Sequence, residues 1–185
     1  DVRLIKPSDA ASWASCRRRA WLDMHQSIDF EADAFTRLLF DAGLHHERRV
    51  LRQLQDEYDV HHADSFEHTS ILMQQGVSVI YQARLMNPEA GLVGFPDFLI
   101  RHESGQYQPA DAKLTQSENK RGLQIQLGLY RRLLETDLPV IVFLGGNRTA
   151  VIGDEIDALV DAFLTDMQQL RRQPEQPKVR YSHSK

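Results

Sequence analysis

Two acidic residues and one lysine occupy positions where a β-sheet would bring them together. Asp111 and Lys113 are two residues apart on a predicted strand, so their side chains leave the same face of the sheet. Asp97 follows the Gly94-Phe95-Pro96 bend in the preceding predicted strand. If the turn at Ser104-Gly105 makes the two strands antiparallel neighbours, Asp97 and Asp111 lie opposite each other.

Such an arrangement predicts metal-assisted phosphate chemistry. Two carboxylates about 4 Å apart repel by roughly 4 kcal/mol at an effective dielectric constant near 20, and a divalent cation between them removes that cost. Oxygen ligands suit Mg²⁺ or Mn²⁺. An ammonium group at Lys113 can stabilise the charge of an attacked phosphoryl group. The plainer interpretation is a partly solvated strand edge whose charges face water.

Two further pairs lie on predicted helices. Gln126 and Tyr130 are four residues apart and therefore share one helix face. His46 and Glu47 lie in a long predicted helix, where His46 is either a ligand or an ordinary helix histidine with its hydrogen bonds satisfied. The segment after His46 lacks the second histidine of a zincin motif.

The hydrophobic periodicity predicts the elements that must position these groups. Ser8 caps a helix that reaches Leu22, Gly43 weakens or breaks the long second helix, and Asp154 caps the last helix. The predicted helices span 8–22, 31–57, 69–75, 123–134 and 154–170, and the predicted strands span 59–63, 77–85, 92–100, 107–114, 139–144 and 149–152.

This order predicts a single α/β domain over 1–185 with a central mixed β-sheet flanked by helices. Its parts are a helical N-terminal region, a sheet core with the helix that carries Gln126 and Tyr130, a C-terminal helix and a polar tail. Their boundaries are 1–60, 76–153, 154–172 and 173–185.

The composition favours a globular domain over a membrane-spanning or strongly basic protein. The 185 residues are 42% hydrophobic and carry a formal charge of −4, which is typical of a globular domain and lacks the basic balance usual for a DNA binder. Clusters of arginine occur, and each is either a solvated helix face or part of a nucleic-acid surface. No apolar run is long enough to span a membrane, and a single cysteine predicts a reducing, cytoplasmic environment.

Four ordered motifs resemble the PD-(D/E)XK nuclease superfamily, and more narrowly its RecB-like branch. They cover 43–134 and consist of Gly43-x-x-His46-Glu47, Gly94-Phe95-Pro96-Asp97-Phe98-Leu99-Ile100, Tyr107-x-Pro109-x-Asp111-x-Lys113-Leu114 and Gln126-Leu127-x-x-Tyr130. The resemblance implies a restriction-endonuclease-like core. The second acidic position is Asp111 rather than glutamate, which this branch commonly allows.

The resemblance also implies residue roles and an activity. The metal ligands would be His46, Asp97, Asp111 and the Ala112 carbonyl, with Glu47 as a further ligand or a partner of His46. Lys113 would be the catalytic lysine. Gln126 and Tyr130 would contact DNA or brace that lysine. The implied protein is an Mg²⁺- or Mn²⁺-dependent deoxyribonuclease, acting as an exonuclease on single-stranded ends in DNA repair, recombination or CRISPR-type processing, with a helicase or recombination partner. A catalytically weak DNA-binding or assembly subunit of a helicase–nuclease complex is the alternative, and an RNA substrate stays open.

Cys16 has two interpretations. The segment Ser15-Cys16-Arg17-x-x-Ala20-Trp21-Leu22 resembles the amino-terminal part of AddB-type and CRISPR-adaptation iron–sulfur nucleases, in which three later cysteines complete a 4Fe–4S cluster. No other cysteine is present, so this chain by itself cannot build the cluster. Either Cys16 is a buried apolar-type cysteine, or the native protein is longer and its further cysteines follow Lys185. Because the sequence begins at Asp1 without methionine, we expect a piece of a longer protein.

Overall fold

A computed structural model describes residues 3–26 and 32–178. The helices are α1 Asp9–Ser15, α2 Arg17–His25, α3 Ala34–Glu57, α4 Phe66–Gln75, α5 Arg121–Leu134 and α6 Asp157–Arg172. The strands are β1 Val60–His62, β2 Val79–Tyr81, β3 Leu85–Asn87, β4 Leu92–Gly94, β5 Phe98–Arg101, β6 Tyr107–Lys113, β7 Val140–Leu144 and β8 Arg148–Ile152.

Six of these strands form one mixed sheet in the order β1-β2-β5-β6-β7-β8. Strands β2, β5 and β6 are antiparallel neighbours, α5 then crosses over, and β7 pairs with β6 in parallel. Strand β8 returns antiparallel to β7 after a 3₁₀ turn at Gly145–Asn147. The predicted α/β class with a central mixed sheet flanked by helices is confirmed.

Helices cover both faces of this sheet. On one face, Val50 and Leu54 of α3 pack with Phe98 and Ala110. On the other face, α5 and α6 form the largest apolar cluster with the inward side chains of β7, of which Val142 is fully buried. Because successive strand residues point to opposite faces, the side chains of β6 are divided between these two layers.

The predicted strand over 92–100 is wrong in its continuity. It divides into β4 and β5, which belong to different sheets, because β4 pairs with β3 in a separate two-stranded sheet. Leu92 also forms a parallel bridge with Ile5, a contact from a distant part of the chain. The predicted strand over 77–85 divides in the same way, into β2 and β3, and Gln82 between them has a left-handed φ of 52°.

Two expectations about the early helices need correction. The segment that begins at Ser8 is two helices, since Cys16 takes an extended conformation between α1 and α2, and the Ser8 side chain makes no capping hydrogen bond. Gly43 does not break α3, which runs unbroken from Ala34 to Glu57. The helix begins where the side chain of Asp33 accepts a hydrogen bond from the Thr36 N–H, 2.7 Å away. The predicted start at Glu31 lies outside the described residues.

The remaining corrections concern helix boundaries. Asp154 opens a 3₁₀ turn, and α6 begins only at Asp157 without a side-chain cap. Helix α4 begins earlier than predicted because the Ser65 hydroxyl caps it, and it ends at Gly76 as predicted. The last seven positions of the predicted polar tail, 179–185, lie outside the described part of the chain. In the described residues, no helix is long and apolar enough to cross a membrane.

Candidate active site

Asp97 and Asp111 are held against each other by their own backbones. The register pairs Phe98 with Ala110 in antiparallel strands, which places Asp97 beside Asp111. The Asp97 N–H donates to Asp111 Oδ1 at 2.9 Å, and the Ala112 N–H donates to Asp97 Oδ2 at 2.8 Å. The juxtaposition predicted from the Ser104-Gly105 turn is therefore present in the structure.

The second oxygen of Asp111 has spare binding capacity. The Asp111 side chain is 1% exposed, and Lys113 Nζ lies 2.7 Å from its Oδ2. Apart from this ion pair with Lys113, Oδ2 has no hydrogen-bond partner among the described residues. A buried carboxylate oxygen with a cation on one side and free lone pairs elsewhere is suited to a further cation.

Burial and charge set the protonation of this cluster. Burial, reinforced by the negative charge of Asp111, raises the pKa of Asp97 well above its ordinary value, although Lys113 opposes the shift. For Lys113, burial lowers the pKa, but Asp111 and Asp97 together outweigh burial, so the net shift is upward. Lys113 is therefore an ammonium ion at neutral pH. Ionising Asp97 is costly unless a positive charge joins the site.

Gln126 and Tyr130 connect α5 to the bend that precedes Asp97. The Tyr130 hydroxyl donates to the Phe95 carbonyl at 3.3 Å, and Gln126 Nε2 donates to the Tyr130 hydroxyl at 3.5 Å. Burial, together with the charge of Asp111, raises the pKa of Tyr130 well above its usual range, so the hydroxyl remains a donor. The pair holds the bend in place, and its predicted contact with DNA stays a prediction.

Gly94 explains how α5 comes so close to the bend. A Cβ at this position would lie 2.5 Å from Leu133 Cδ1 and 3.2 Å from the Tyr130 ring. Any larger residue would force Leu133 or the Tyr130 ring to shift. The glycine of the Gly94-Phe95-Pro96 segment thus serves packing against α5, in addition to ending β4.

Glu47, on α3, contributes negative charge to the site of Asp97 and Asp111, which we call the acid pair. The Tyr81 hydroxyl donates to Glu47 Oε1 at 2.7 Å, and Gln82 Nε2 donates to the same oxygen at 3.3 Å. The charge of Glu47 contributes to the raised pKa values of both Asp97 and Lys113. No hydrogen bond between Glu47 and His46 is present in the described part of the structure, so the predicted partnership of the two residues is not seen.

His46 makes different contacts from those its predicted role requires. The ring is buried, its Nε2–H donates to the Phe143 carbonyl at 2.7 Å, and its Nδ1 accepts from Arg49 Nη2 at 2.9 Å. Phe143 is the register partner of Ala112, whose side chain packs in the α3 layer. Asp111 projects to the other face of β6. Both ring nitrogens are therefore engaged away from the acid pair.

The structure thus assembles part of the predicted metal site. Across residues 3–26 and 32–178, no group of three or more histidine, cysteine, aspartate or glutamate side chains lies together as a metal site would require. The Asp97–Asp111 pair offers hard oxygen donors, and one buried oxygen has no partner in the described residues other than the Lys113 ammonium, so these residues fit Mg²⁺ or Mn²⁺. The ligand roles of His46, Glu47 and the Ala112 carbonyl stay predictions.

Cys16 lies at the junction of α1 and α2. The residue is half-buried rather than fully buried, and its backbone N–H donates to the Ser12 carbonyl at 2.8 Å. Its carbonyl accepts from the Ala20 N–H, so its backbone serves both helices. An iron–sulfur role for Cys16 stays a prediction about a longer protein.

Two residues beside the site were missed by sequence analysis. Tyr81 lies in the predicted strand over 77–85, which gave it no role in the site, although its hydroxyl donates to Glu47. Phe95 belongs to a quoted motif, but was given no role. The sequence does contain a signal for Phe95, because it lies between Gly94 and Pro96. A large aromatic residue at such a bend is outside the regular strand, so the sheet does not bury it.

Comparisons with known proteins leave the family open. No family model matches this chain, and no curated protein matches it. A solved structure described as "Crystal structure of SSO0001" aligns at 15% identity and a TM-score of 0.41, over 92% of this chain and 77% of that chain. A likeness this low carries no argument about fold or activity.

Proposed function

We propose that this chain is a nuclease that hydrolyses phosphodiester bonds of DNA and depends on Mg²⁺ or Mn²⁺. The observation that supports it best is the buried pair of Asp97 and Asp111, with Lys113 Nζ 2.7 Å from an Asp111 oxygen that has no hydrogen-bond partner in the described residues. A structural ion pair does not need a second carboxylate at the same place. Two acids and one ammonium suit a bound cation beside a phosphate.

Each group has a chemical task in this proposal. Asp97 and Asp111 would hold the ion, and the Glu47 carboxylate adds negative charge on the α3 side. When bound, the ion would supply Lewis-acid polarisation of the phosphoryl group. Lys113 remains protonated and provides a fixed positive charge for the phosphoryl oxygens, a type of contribution worth about 3–4 kcal/mol of barrier. Tyr130 keeps the backbone before Asp97 in position.

The finer assignment rests on the resemblance to RecB-like nucleases. It favours single-stranded DNA ends as substrate and a role in DNA repair, recombination or CRISPR-type processing in the cytoplasm. A helicase or recombination partner would then supply the strand. RNA has the same phosphodiester chemistry and is a useful comparison substrate.

A second candidate function is a DNA-docking or assembly subunit with little turnover. The observation that favours it is an apolar surface on the N-terminal part of α3, where a soluble monomer would bear polar side chains. The residues of this surface, exposed in the structure, are Phe35, Leu38, Leu39, Phe40 and Leu44. A partner protein that covered them would explain their exposure.

Cleavage of end-labelled single-stranded DNA tests the enzyme. With Mn²⁺ or Mg²⁺ we expect products that chelation abolishes, and Asp111→Asn and Lys113→Met each lower kcat by about 10²–10³-fold. Matched controls are Asp137→Asn and Lys6→Met, which change exposed residues of the same types and leave kcat unchanged.

The same assay separates the two candidates. Binding of DNA without cleavage, unaffected by Asp111→Asn and Lys113→Met, would favour the docking subunit. Equal cleavage of an RNA strand would broaden the substrate. Metal-dependent cleavage that survives both substitutions would place the active site elsewhere and contradict the proposal.

A further inference from the structure

One residue beside the site has a backbone conformation that its side chain disfavours. Gln82, between β2 and β3, has a φ of 52°, in the left-handed region where the Cβ atom comes close to the following carbonyl oxygen. Two other non-glycine residues of the described chain are left-handed, Glu135 and Asn147. Glu135 ends α5 and Asn147 lies in a tight 3₁₀ turn, which are usual places for this conformation. Gln82 lies at neither kind of place, so its conformation needs another explanation.

The backbone of Gln82 holds Asp97. Tyr81 and Phe98 are register partners in β2 and β5, so Gln82 and Asp97 come next on their strands and lie opposite each other. The Gln82 N–H donates to the Asp97 carbonyl at 2.7 Å. The N–H of Asp97 donates to Asp111, so both backbone polar groups of Asp97 are engaged.

The side chain of Gln82 reaches the carboxylate on α3. Its Nε2 donates to Glu47 Oε1 at 3.3 Å and to the Tyr81 hydroxyl at 3.1 Å, and that hydroxyl donates to the same Glu47 oxygen at 2.7 Å. The other end of the amide, Gln82 Oε1, accepts from His62 Nε2 on β1 at 2.9 Å. Because an amide oxygen only accepts, the bond from His62 fixes which end of the amide faces Glu47.

Gln82 therefore joins the strand groups of the site to the α3 group. Its main chain is bonded to Asp97, and its side chain is bonded to Glu47. The charge of Glu47 acts on both Asp97 and Lys113, so the carboxylate that Gln82 contacts belongs to the electrostatics of the site. Glycine would adopt the left-handed backbone without strain, but it has no side chain that could reach Glu47.

We infer that Gln82 is a positioning residue, which holds the Glu47 carboxylate in a fixed place relative to Asp97 by means of a strained backbone. The inference rests on the proposed function and adds to it a residue outside the four motifs. Strain of this kind persists where the surrounding structure enforces it and the site gains from it. The gain here is a fixed negative charge beside the acid pair, which favours a bound cation.

Gln82→Asn separates the strain from the function. Asparagine tolerates the left-handed region better, but its side chain is one methylene shorter and does not reach Glu47 from the same backbone. Without metal, we expect the Tm of this variant to equal or exceed that of the parent. We expect its Kd for Mn²⁺, measured by isothermal titration calorimetry, to rise by about 10-fold, as happens when a group that orients a metal site is lost. A residue with only a structural role would not weaken the site while it preserves the fold.

Two matched variants control this measurement. Glu135→Asn changes another long left-handed residue, with a φ of 51° at the end of α5, and should leave the Mn²⁺ Kd unchanged. In the Glu47→Gln chain, Gln82→Asn should change Kd by less than about 2-fold, because no carboxylate is left to position.

A measurement without metal separates this inference from the nuclease proposal. The side-chain amide protons of Gln82 should shift in the proton–nitrogen correlation spectrum on Glu47→Gln, and not on Glu57→Gln, which changes another glutamate of α3. If the parent binds no Mn²⁺ while these resonances shift, Gln82 holds Glu47 as inferred and the nuclease proposal fails.

Four results would overturn the inference. One is an Mn²⁺ Kd that Gln82→Asn leaves unchanged, even if the protein cleaves DNA. Another is an equal rise in Kd in the Glu47→Gln chain, since Gln82 would then act by a different route. A fall in Tm in both Gln82→Asn and Gln82→Gly would make Gln82 an ordinary structural residue. Amide resonances that do not respond to Glu47→Gln would overturn it whether or not Mn²⁺ binds.

Discussion

The groups carried by strands and the groups carried by α3 behave differently. The Asp97 N–H donates to the Asp111 carboxylate and the Ala112 N–H donates to the Asp97 carboxylate, while Lys113 lies on the same face as Asp111. On α3, the neighbours His46 and Glu47 separate: Glu47 acts on the acid pair, whereas His46 binds the Phe143 carbonyl.

The difference follows from geometry. A strand has a period of two residues, and antiparallel register joins specific partners, so spacing in sequence determines which side chains meet. Consecutive residues of a helix point about 100° apart, so the rotation and crossing angle of α3 on the sheet decide which one reaches the site. The sheet register therefore fixes the positions of Asp97, Asp111 and Lys113. For His46 and Glu47, the packing of α3 on the sheet determines which side chain reaches the site.

Metal-linked stability tests the strand groups and has the largest expected effect. A cation that binds the Asp97–Asp111 pair stabilises the folded chain by about 2.7 kcal/mol at a concentration of 100 times Kd. For a chain of 185 residues this raises Tm by about 5–10 °C. Scanning calorimetry with increasing Mn²⁺ measures the shift.

The control for this measurement is Asp111→Asn, which should abolish most of the Mn²⁺-dependent shift, compared with Asp137→Asn, which should retain it. A shift of equal size in all three chains would mean that Mn²⁺ binds elsewhere, and the strand groups would then be an ordinary buried ion pair.

Substitution of the two α3 neighbours tests the comparison directly. Glu47→Gln is expected to weaken Mn²⁺ binding by about 10- to 100-fold, since its charge adds to the field at the site. His46→Gln should change Mn²⁺ affinity far less, because its ring nitrogens are held by Phe143 and Arg49. Isothermal titration calorimetry measures both. If His46→Gln has the larger effect, the imidazole must leave these contacts to bind the ion, as the resemblance implies.

Sequence reasoning reached the strand part of the fold and of the site for a physical reason. The Ser104-Gly105 turn and the alternation in 107–113 define a hairpin locally, so the juxtaposition of Asp97 and Asp111 could be predicted without the rest of the chain. Gly94 and Pro96 were interpreted as a bend, correctly, yet the separate β3–β4 sheet was not predicted.

The missing information was nonlocal. Strand β4 bridges to Ile5 and packs under α5 at Leu133, and neither contact has a signature within the segment itself. The same holds for His46, whose environment depends on how α3 meets Phe143 almost a hundred residues later. Local periodicity predicts an element, while its rotation on the sheet depends on side chains contributed by other elements.

The pH dependence of stability reports the cost of the acid pair. Because the pKa of Asp97 is raised in the folded chain, the folded state holds a proton that the unfolded state has lost. Without metal, the free energy of unfolding should therefore fall as pH rises from the unfolded value near 3.9 through the raised value, by at most about 1.4 kcal/mol per pH unit for one proton.

The neutral variant Asp97→Asn keeps an oxygen for the Ala112 N–H and should lose this part of the slope, so that it is more stable than the parent at neutral pH without metal. Urea denaturation at several pH values, with a chelator present, measures the difference. A parent chain whose stability rises across the same range would indicate that Asp97 is ionised and well solvated.

The substitution with the smallest expected effect tests whether α3 holds His46 and Glu47 in fixed positions. Gly43 lies in the helix interior one turn before Glu47, and a Cβ there would meet no atom within 4 Å. Gly43→Ala should therefore stabilise the chain by about 0.5–1 kcal/mol, through helix propensity and reduced freedom of the unfolded state. Mn²⁺ affinity and cleavage should not change, because α3 is already continuous through this position. If Gly43→Ala instead lowers Mn²⁺ affinity while it raises Tm, α3 must bend at Gly43 to bring His46 or Glu47 to the ion. The positions of these two side chains would then depend on a hinge at Gly43 and not only on the packing of α3.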